Sequence, residues 1–284
     1  MAGSTGRRRF RSPLWAGDIV YWVERRAERR AQDPQERLEL AEKRLAKSVD
    51  RHGPDSWKSI NAMEAVAKYR EGFDRYADAL PLREQVHERR RKQLGSNHQL
   101  TLAAEARLAV TLIELQRPER AQPLLAHVHR RLSAGGGAND LTALAVAERL
   151  ADTESALGNA DAARGLLEEV LAAYQQGGYE LLAAGIATKL AKNLILAGRY
   201  PEATELLRQV VEVRSRTLGP EDPQTRAALR NLASSLVWTK ELAEASIVAG
   251  NLLATTVRIQ GAEHADTLEA ERLVDNINRR LNAG

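Results

Sequence analysis

The feature that most constrains the fold is a glycine followed six residues later by threonine. This spacing is found at Gly95 to Thr101, Gly219 to Thr225 and Gly261 to Thr267. Glycines recur every 42 residues from Gly53 through Gly95 to Gly137 and again from Gly219 to Gly261, and the interval between Gly137 and Gly219 is two residues short of two periods. A fixed period of this size is typical of stacked supersecondary units and not of one closed core.

The spacing of the apolar residues predicts an all-α chain. Asp33 and Pro34 are expected to cap and begin a helix that ends near Gly53, and Asp222-Pro223 repeats this device. Apolar spacings of three and four predict further helices at about 55–71, 76–93, 98–115, 118–133, 140–157, 160–176, 180–197, 200–217, 223–239, 242–259 and 265–281. Ala, Leu, Arg and Glu dominate the composition and favour helix, and a helix over about 15–31 brings the total to about 13. The turns inside each pair are short, which makes neighbouring helices antiparallel.

The residue types argue against catalysis and against cofactors. The chain has no cysteine, so thiolate chemistry and cysteine metal sites are excluded. His127 and His129 are two residues apart, so they point to different sides of a helix and do not share a metal. The glycine cluster at 135–137 lacks the Lys-Ser/Thr of a phosphate-binding loop. We expect a protein that is not an enzyme and binds no metal or cofactor.

The basic excess of the chain is confined to its beginning. Residues 1–52 contain 13 Lys/Arg and 8 Asp/Glu, whereas the rest of the chain, whose overall net charge is +4, is almost neutral. We expect residues 1–13 to be a basic tail, either solvated or in contact with an acidic partner, nucleic acid or an anionic membrane. The helix over 15–31 is expected to cap the array, pinned by Trp15 and Trp22, or to lie on a membrane surface. No 18-residue apolar stretch and no signal peptide is found, so a cytoplasmic location is expected.

The chain resembles a tetratricopeptide repeat (TPR) protein in one recurrent pattern. A pair of the type Leu-Ala in a first helix lies 12 residues before a small Ala in the second helix. The pattern is found at Val66-Ala67 with Ala79, Leu108-Ala109 with Ala121, Leu150-Ala151 with Ala163, Leu190-Ala191 with Ala203, and Leu232-Ala233 with Ala245. The 42-residue period and the linker Leu218–Thr225 resemble the kinesin-light-chain type of repeat, which also occurs widely in bacteria. Glu154, Trp238-Thr239-Lys240 and the join at 176–179 depart from the pattern.

The resemblance implies a right-handed superhelical α-solenoid of antiparallel helix pairs. On this basis the chain divides into a basic tail over 1–13, a helical cap or half-repeat over 14–52, five TPR-like helix pairs over 53–262 and a C-terminal capping helix over 263–284. The first helices of such arrays line a concave groove, and the family's peptide-contacting residues lie on them.

The resemblance also implies a set of groove residues. The family's contact residues are carried over at two positions of each first helix. One is the residue directly before the Leu-Ala pair, and the other lies three residues after that residue. The groove residues predicted at these two positions are Lys68, Arg107, Arg149, Lys189, Lys192, Asn231 and Ser234, and Asn61 in the predicted helix over 55–71 is included with them. This mainly basic stripe favours an acidic or carboxylate-terminated peptide. The alternative is that these residues are solvated or paired with acids such as Glu148 and Asp152.

Trp57 and Trp238 are candidate partner anchors, although burial between repeats is the expected role of such large residues.

The leading functional hypothesis is a non-catalytic scaffold or adaptor that binds a peptide or a partner domain in the groove. The alternatives are a peptide-sensing regulator whose superhelix changes pitch on binding, a nucleic-acid or membrane-associated factor acting through the basic N-terminus, and a homo-oligomer. The residues that motivate the homo-oligomer are Leu273, Val274, Ile277 and Leu281 on the last helix.

Overall fold

The computed structural model describes residues 33–135 and 140–283, which form twelve α-helices and contain no β-strand. The helices are α1 (Pro34–His52), α2 (Trp57–Glu71), α3 (Tyr76–Leu94), α4 (Gln99–Glu114), α5 (Pro118–Gly135), α6 (Leu141–Ala156), α7 (Ala160–Gln176), α8 (Glu180–Leu196), α9 (Tyr200–Leu218), α10 (Pro223–Trp238), α11 (Leu242–Gln260) and α12 (Ala265–Ala283). The predicted bounds agree with these to within two residues. The expected tail over 1–13, the helix over 15–31 and its two tryptophans lie outside the described residues.

The predicted helix starts at the two Asp-Pro pairs are confirmed. The Asp33 carboxylate accepts a hydrogen bond from the Gln35 backbone N–H at 3.0 Å, and the Asp222 carboxylate accepts one from the Gln224 backbone N–H at 2.8 Å. A carboxylate at this position satisfies an N–H that has no partner within the helix, and the following proline has no N–H to satisfy.

The helices form two compact units. The first is described from residue 33 to Arg117 and contains α1–α4; the second begins at Pro118 and contains α5–α12. Within each unit every helix packs against the next one along the chain. The short turns make these neighbours antiparallel, so each unit is a stack of the solenoid type. One continuous core runs through the second unit from Leu144 to Ile277.

The glycine–threonine spacing closes the loop before a first helix. Gly219 and Gly261 have φ of 87° and 86° with ψ of 163° and 165°, a conformation that is essentially restricted to glycine. The hydroxyl six residues later is buried. At Thr267 it donates to the Gly261 carbonyl at 2.8 Å, whereas the hydroxyls of Thr101 and Thr225 have no hydrogen-bond partner among the described residues. Ser59 makes the same bond to Gly53 at 2.7 Å, so serine takes the place of threonine there. The motif is therefore a structural element of the repeat.

The Leu-Ala pairs carry the helix packing that the sequence predicts. The alanines of these pairs and the alanines 12 residues later are almost completely buried. The absence of a longer side chain lets two helix backbones approach closely, and the neighbouring large apolar residues fill the space beside the crossing.

The three departures from the repeat pattern are accommodated in the second unit. Glu154 is buried where three of the other four repeats have leucine, and it accepts hydrogen bonds from Gln122 at 2.9 Å and Asn159 at 2.7 Å. At the join over 176–179, α7 and α8 pack against each other, and the Tyr179 ring meets Tyr174 edge-on at 6.1 Å. At the turn after α10, Lys240 adopts a φ of 63° in place of the usual glycine.

Two helices near the C-terminus bear on the remaining expectations. By length and apolar composition alone, α11 could cross a membrane, whereas no such helix was expected from the sequence. In the structure α11 packs between α10 and α12, with Ala245, Ala249 and Leu252 fully buried.

The apolar residues of α12 that suggested a homo-oligomer are mostly covered within the chain. Ile277 is fully buried and Leu273 and Val274 pack against the core, whereas Leu281 is exposed.

Candidate functional site

The predicted groove residues of the second unit lie on the exposed sides of three first helices. We call the surface formed by these sides the first-helix face. Its residues recur at intervals of three and four, opposite the buried residues of the same helices. They are Ala145, Arg149, Asp152 and Ala156 on α6, Gly185, Lys189, Lys192 and Leu196 on α8, and Ala227, Asn231, Ser234 and Trp238 on α10.

Lys189 joins two of these helices through an ion pair. Its ammonium group lies 2.7 Å from Glu148 and 2.8 Å from Asp152, both of which belong to α6. Burial lowers the pKa of Lys189, but hydrogen bonds to Asp152 and Glu148 outweigh this effect, and the net shift is upward. The sequence left open that the basic groove residues are paired with acids, and this alternative applies to Lys189.

Arg149 and Lys192 differ from Lys189. Both side chains are exposed, and neither has an ion pair or hydrogen bond with any residue in the described ranges. Lys189 occupies Glu148 and Asp152, which are the nearby acids that the sequence offered as partners for Arg149. Asn231 and Ser234 are likewise exposed and have no hydrogen bond to the described part of the chain. The face thus presents two uncompensated cations together with an amide and a hydroxyl.

In the first unit the predicted residues are mostly held by internal bonds. Arg107 forms an ion pair with Glu64 on α2, and Arg90 on α3 forms another with the same carboxylate. Arg90 also donates to the Asn61 side-chain oxygen at 3.2 Å. Lys68 is exposed and unpaired within the described residues. The first unit therefore offers a ligand fewer unpaired polar side chains than the sequence suggests.

The expectation that both tryptophans are buried between repeats is wrong. Trp57 and Trp238 are each 58% exposed, because each lies at the end of its helix and not at a crossing. Trp238 stacks on Tyr200, with ring centroids 5.2 Å apart and planes 9° apart. Leu196, 42 residues before Trp238, is 77% exposed, and sequence reasoning missed it although the period places it at the same repeat position.

The first-helix face presents side chains that are suited to binding another molecule. Across the ranges 33–135 and 140–283, no group of three or more His, Asp or Glu side chains could hold a metal ion. Cations, amide, hydroxyl and exposed apolar side chains at regular spacing can instead contact the main chain and side chains of an extended peptide.

Comparisons with known proteins agree with this class of helical repeat. Residues 182–249 match the family model described as Tetratricopeptide repeat. No curated protein matches the chain. The nearly identical TPR-like repeats of a protein described as a kinesin light chain, from Podosopora anserina, match with 26% identity and a TM-score of 0.64, over 71% of this chain and 96% of that chain.

Two further structures share the fold. BtubC (BKLC) from P. vanneervenii matches at 15% identity with a TM-score of 0.58, over 89% of this chain and 92% of that one. The apo form of the quorum sensor NprR from B. thuringiensis matches at 14% identity with a TM-score of 0.66, over 92% of this chain and 71% of that one. Fold and repeat pattern together define an α-solenoid repeat protein. Residues 182–249 are of the tetratricopeptide repeat type, and the repeats of this chain are similar to those of the kinesin light chain.

Proposed function

We propose that this protein is a non-catalytic, cytoplasmic scaffold or adaptor that binds an extended peptide or a partner domain on its first-helix face. The observation that carries the proposal is the pair of exposed cations Arg149 and Lys192, which have no partner in the described part of the chain although acids lie nearby. A single surface cation without a partner is common and does not by itself indicate a binding site. Here they share a face with Asn231, Ser234 and the stacked Trp238, which together supply the contacts that an extended segment needs.

The charge of the face indicates the chemistry of the ligand. Arginine binds carboxylates through two parallel hydrogen bonds, and lysine adds a point charge three residues away along the repeat register. A segment with acidic side chains or a free C-terminal carboxylate would supply the missing counter-charge. The amide of Asn231 is suited to the peptide main chain, and Trp238 with Leu196 offers apolar surface at one edge.

An affinity purification from the native host tests the proposal. The wild-type chain is compared with Arg149→Glu/Lys192→Glu, and the matched control is Arg130→Glu/Arg131→Glu, which makes the same charge change at two exposed positions on α5. We expect a partner that is retained by the wild type and by the control and is lost from the face variant. Retention of the same partner by the face variant, with its helical content unchanged, would refute the proposal.

The fold similarity to the quorum sensor NprR keeps a second function open, that of a peptide-sensing regulator. In that case ligand binding would change the pitch of the array and thereby its affinity for a further protein. Small-angle scattering with and without the isolated partner separates the two functions. With the partner contrast-matched in neutron scattering, a change in the maximum dimension of the array on binding favours sensing, and an unchanged profile of the array favours a scaffold.

A further inference from the structure

A cavity of about 250 Å³ lies on the second unit, beside the beginning of α8 and away from the first-helix face. Its floor consists of three alanines of α8, and its walls are apolar side chains of α7 and α9. The floor residues are Ala183, Ala184 and Ala187, and the wall residues are Leu171, Val210 and Val213. The two glutamines at its margin, Gln175 and Gln209, are exposed.

The repeat register explains why the cavity exists. Ala184 lies six residues before the leucine of its Leu-Ala pair. At the same position three of the other four first helices have Ile60, Leu102 and Leu144, all of them buried, and α10 has Arg226. Leu144 and Ala184 both belong to the continuous core of the second unit, but the Ala184 side chain has three fewer carbon atoms and lines the cavity. The cavity therefore lies at a repeat position where three other first helices have a larger apolar side chain.

The rest of the chain identifies what fits this space. Three repeats of the same protein fill the equivalent position with a leucine or an isoleucine. We propose that the cavity accepts one leucine- or isoleucine-sized side chain from a partner protein, as an anchor separate from the first-helix face. The exposed amides of Gln175 and Gln209 are placed to hydrogen-bond the main chain on either side of that residue. Glu180 at the margin is paired with Arg216 at 2.8 Å, so its charge does not oppose an apolar ligand.

This anchor does not depend on the function proposed for the first-helix face. A partner could use both surfaces, or a different partner could use each. Burying a leucine side chain changes an affinity by about ten- to a hundredfold, so a partner segment is expected to lose that factor when its anchoring leucine is replaced by alanine.

Titration of the full-length chain with N-acetyl-L-leucinamide tests the proposal directly. The methyl groups of alanine are isotope-labelled and observed by NMR, and N-acetyl-L-alaninamide is the control probe. We expect saturable shifts of the Ala183, Ala184 and Ala187 methyl signals with the leucine probe and at least tenfold weaker binding of the alanine probe. Absence of saturable shifts at these three signals, or equal shifts with both probes, would overturn the proposal.

A substitution that fills the cavity provides the second part of the test. Ala184→Leu introduces the residue that Leu102 and Leu144 supply at the equivalent position, so the variant should fold and should no longer respond to the leucine probe at Ala183 and Ala187. The matched control is Ala227→Leu, which adds the same side chain on the exposed face of α10 and should leave the response intact. If Ala184→Leu does not fold, Ala184→Val fills part of the space and should weaken the probe. An unchanged response in either filled variant contradicts the anchor. The variant Arg149→Glu/Lys192→Glu should respond as the wild type does, so failure of the first-helix face is distinguishable from failure of the anchor.

Discussion

Two lysines three residues apart on α8 illustrate how the same residue type takes different roles in this protein. Lys189 is half-buried and bonded to two carboxylates of α6, whereas Lys192 is exposed and has no partner among the described residues. The first therefore contributes to the stability of the stack, and the second is available to a ligand.

Substitution of these lysines separates stability from binding. Lys189→Met should lower the free energy of unfolding by about 1 kcal/mol, the upper end for a partly exposed ion pair, because two carboxylates lose their shared cation. Lys192→Met, the matched control, should change it by less than about 0.5 kcal/mol. Urea denaturation measures both values. Equal effects of the two substitutions would contradict the different roles assigned to the lysines.

The glycines of the linkers are constrained by their backbone conformation. Gly261→Ala should cost about 1–3 kcal/mol of stability, since its φ of 86° with ψ of 165° is strained for any residue with a Cβ atom. Gly165→Ala in the middle of α7, where an added Cβ meets nothing within 4 Å, should be neutral or stabilise by up to about 1 kcal/mol. Thermal unfolding of the two variants checks this, and a Gly261→Ala variant as stable as the wild type would contradict it.

The candidate residues could be located from the sequence, but their partners could not. The Leu-Ala register places Arg149, Lys189 and Asn231 at equivalent repeat positions, and the structure agrees because helix periodicity fixes the side of the helix on which a residue lies. Periodicity does not state which acid on a neighbouring helix is within reach. For that reason the pairing of Lys189 with Glu148 and Asp152, and of Arg107 with Glu64, emerged only from the three-dimensional arrangement.

At the scale of single helices, short-range ion pairs reinforce several helix ends. On α3, Glu88 is bonded to Arg91 and Lys92 at spacings of three and four, and hydrogen bonds from these two cations lower the pKa of Glu88 to about 2. On α9, a hydrogen bond from Arg199 lowers the pKa of Glu202. Such pairs add to the stability of the helix in which they lie.

These shifts predict an acid-sensitive contribution to stability. A carboxyl with a lower pKa in the folded chain than in the unfolded chain binds fewer protons when folded. Its contribution is therefore complete above the unfolded value of about 4.3 and is lost as the pH falls towards 2. Glu88→Gln should unfold at a lower temperature than the wild type at pH 6, and this difference should disappear near pH 2. Calorimetric scans at both pH values measure it, and a difference independent of pH would argue against the assigned cause.

The elements themselves were predictable because their signals are local. Asp-Pro pairs, glycines and apolar spacings of three and four fix where each helix starts and ends, and all twelve described helices agree with that reading. Burial of the tryptophans was predicted wrongly, because residue size was given more weight than position at a helix end. The small residue at Ala184 had a sequence signal, since three of the other four repeats have leucine or isoleucine there, but the cavity depends on the neighbouring alanines and on the walls from α7 and α9.

At the scale of the whole molecule, the repeat fold identifies the class of protein, whereas the exposed residues determine which ligand is bound. The described part of the chain shows no metal-binding cluster, and its distinctive surface features are unpaired cations, exposed aromatic and leucine side chains, and the cavity beside α8. Each of these features is suited to recognising another polypeptide. We therefore propose that a protein partner lies against the first-helix face.

Site-specific photo-crosslinking in the native host tests that claim most directly. Benzoylphenylalanine is placed at Ser234 on the first-helix face and, in a control variant, at Ala254 on the exposed side of α11. We predict that irradiation links one protein partner to the Ser234 position and not to the Ala254 position, and that adding Arg149→Glu/Lys192→Glu abolishes the link. Crosslinking at Ala254 alone, or a product at Ser234 that survives the charge reversal, would contradict the account.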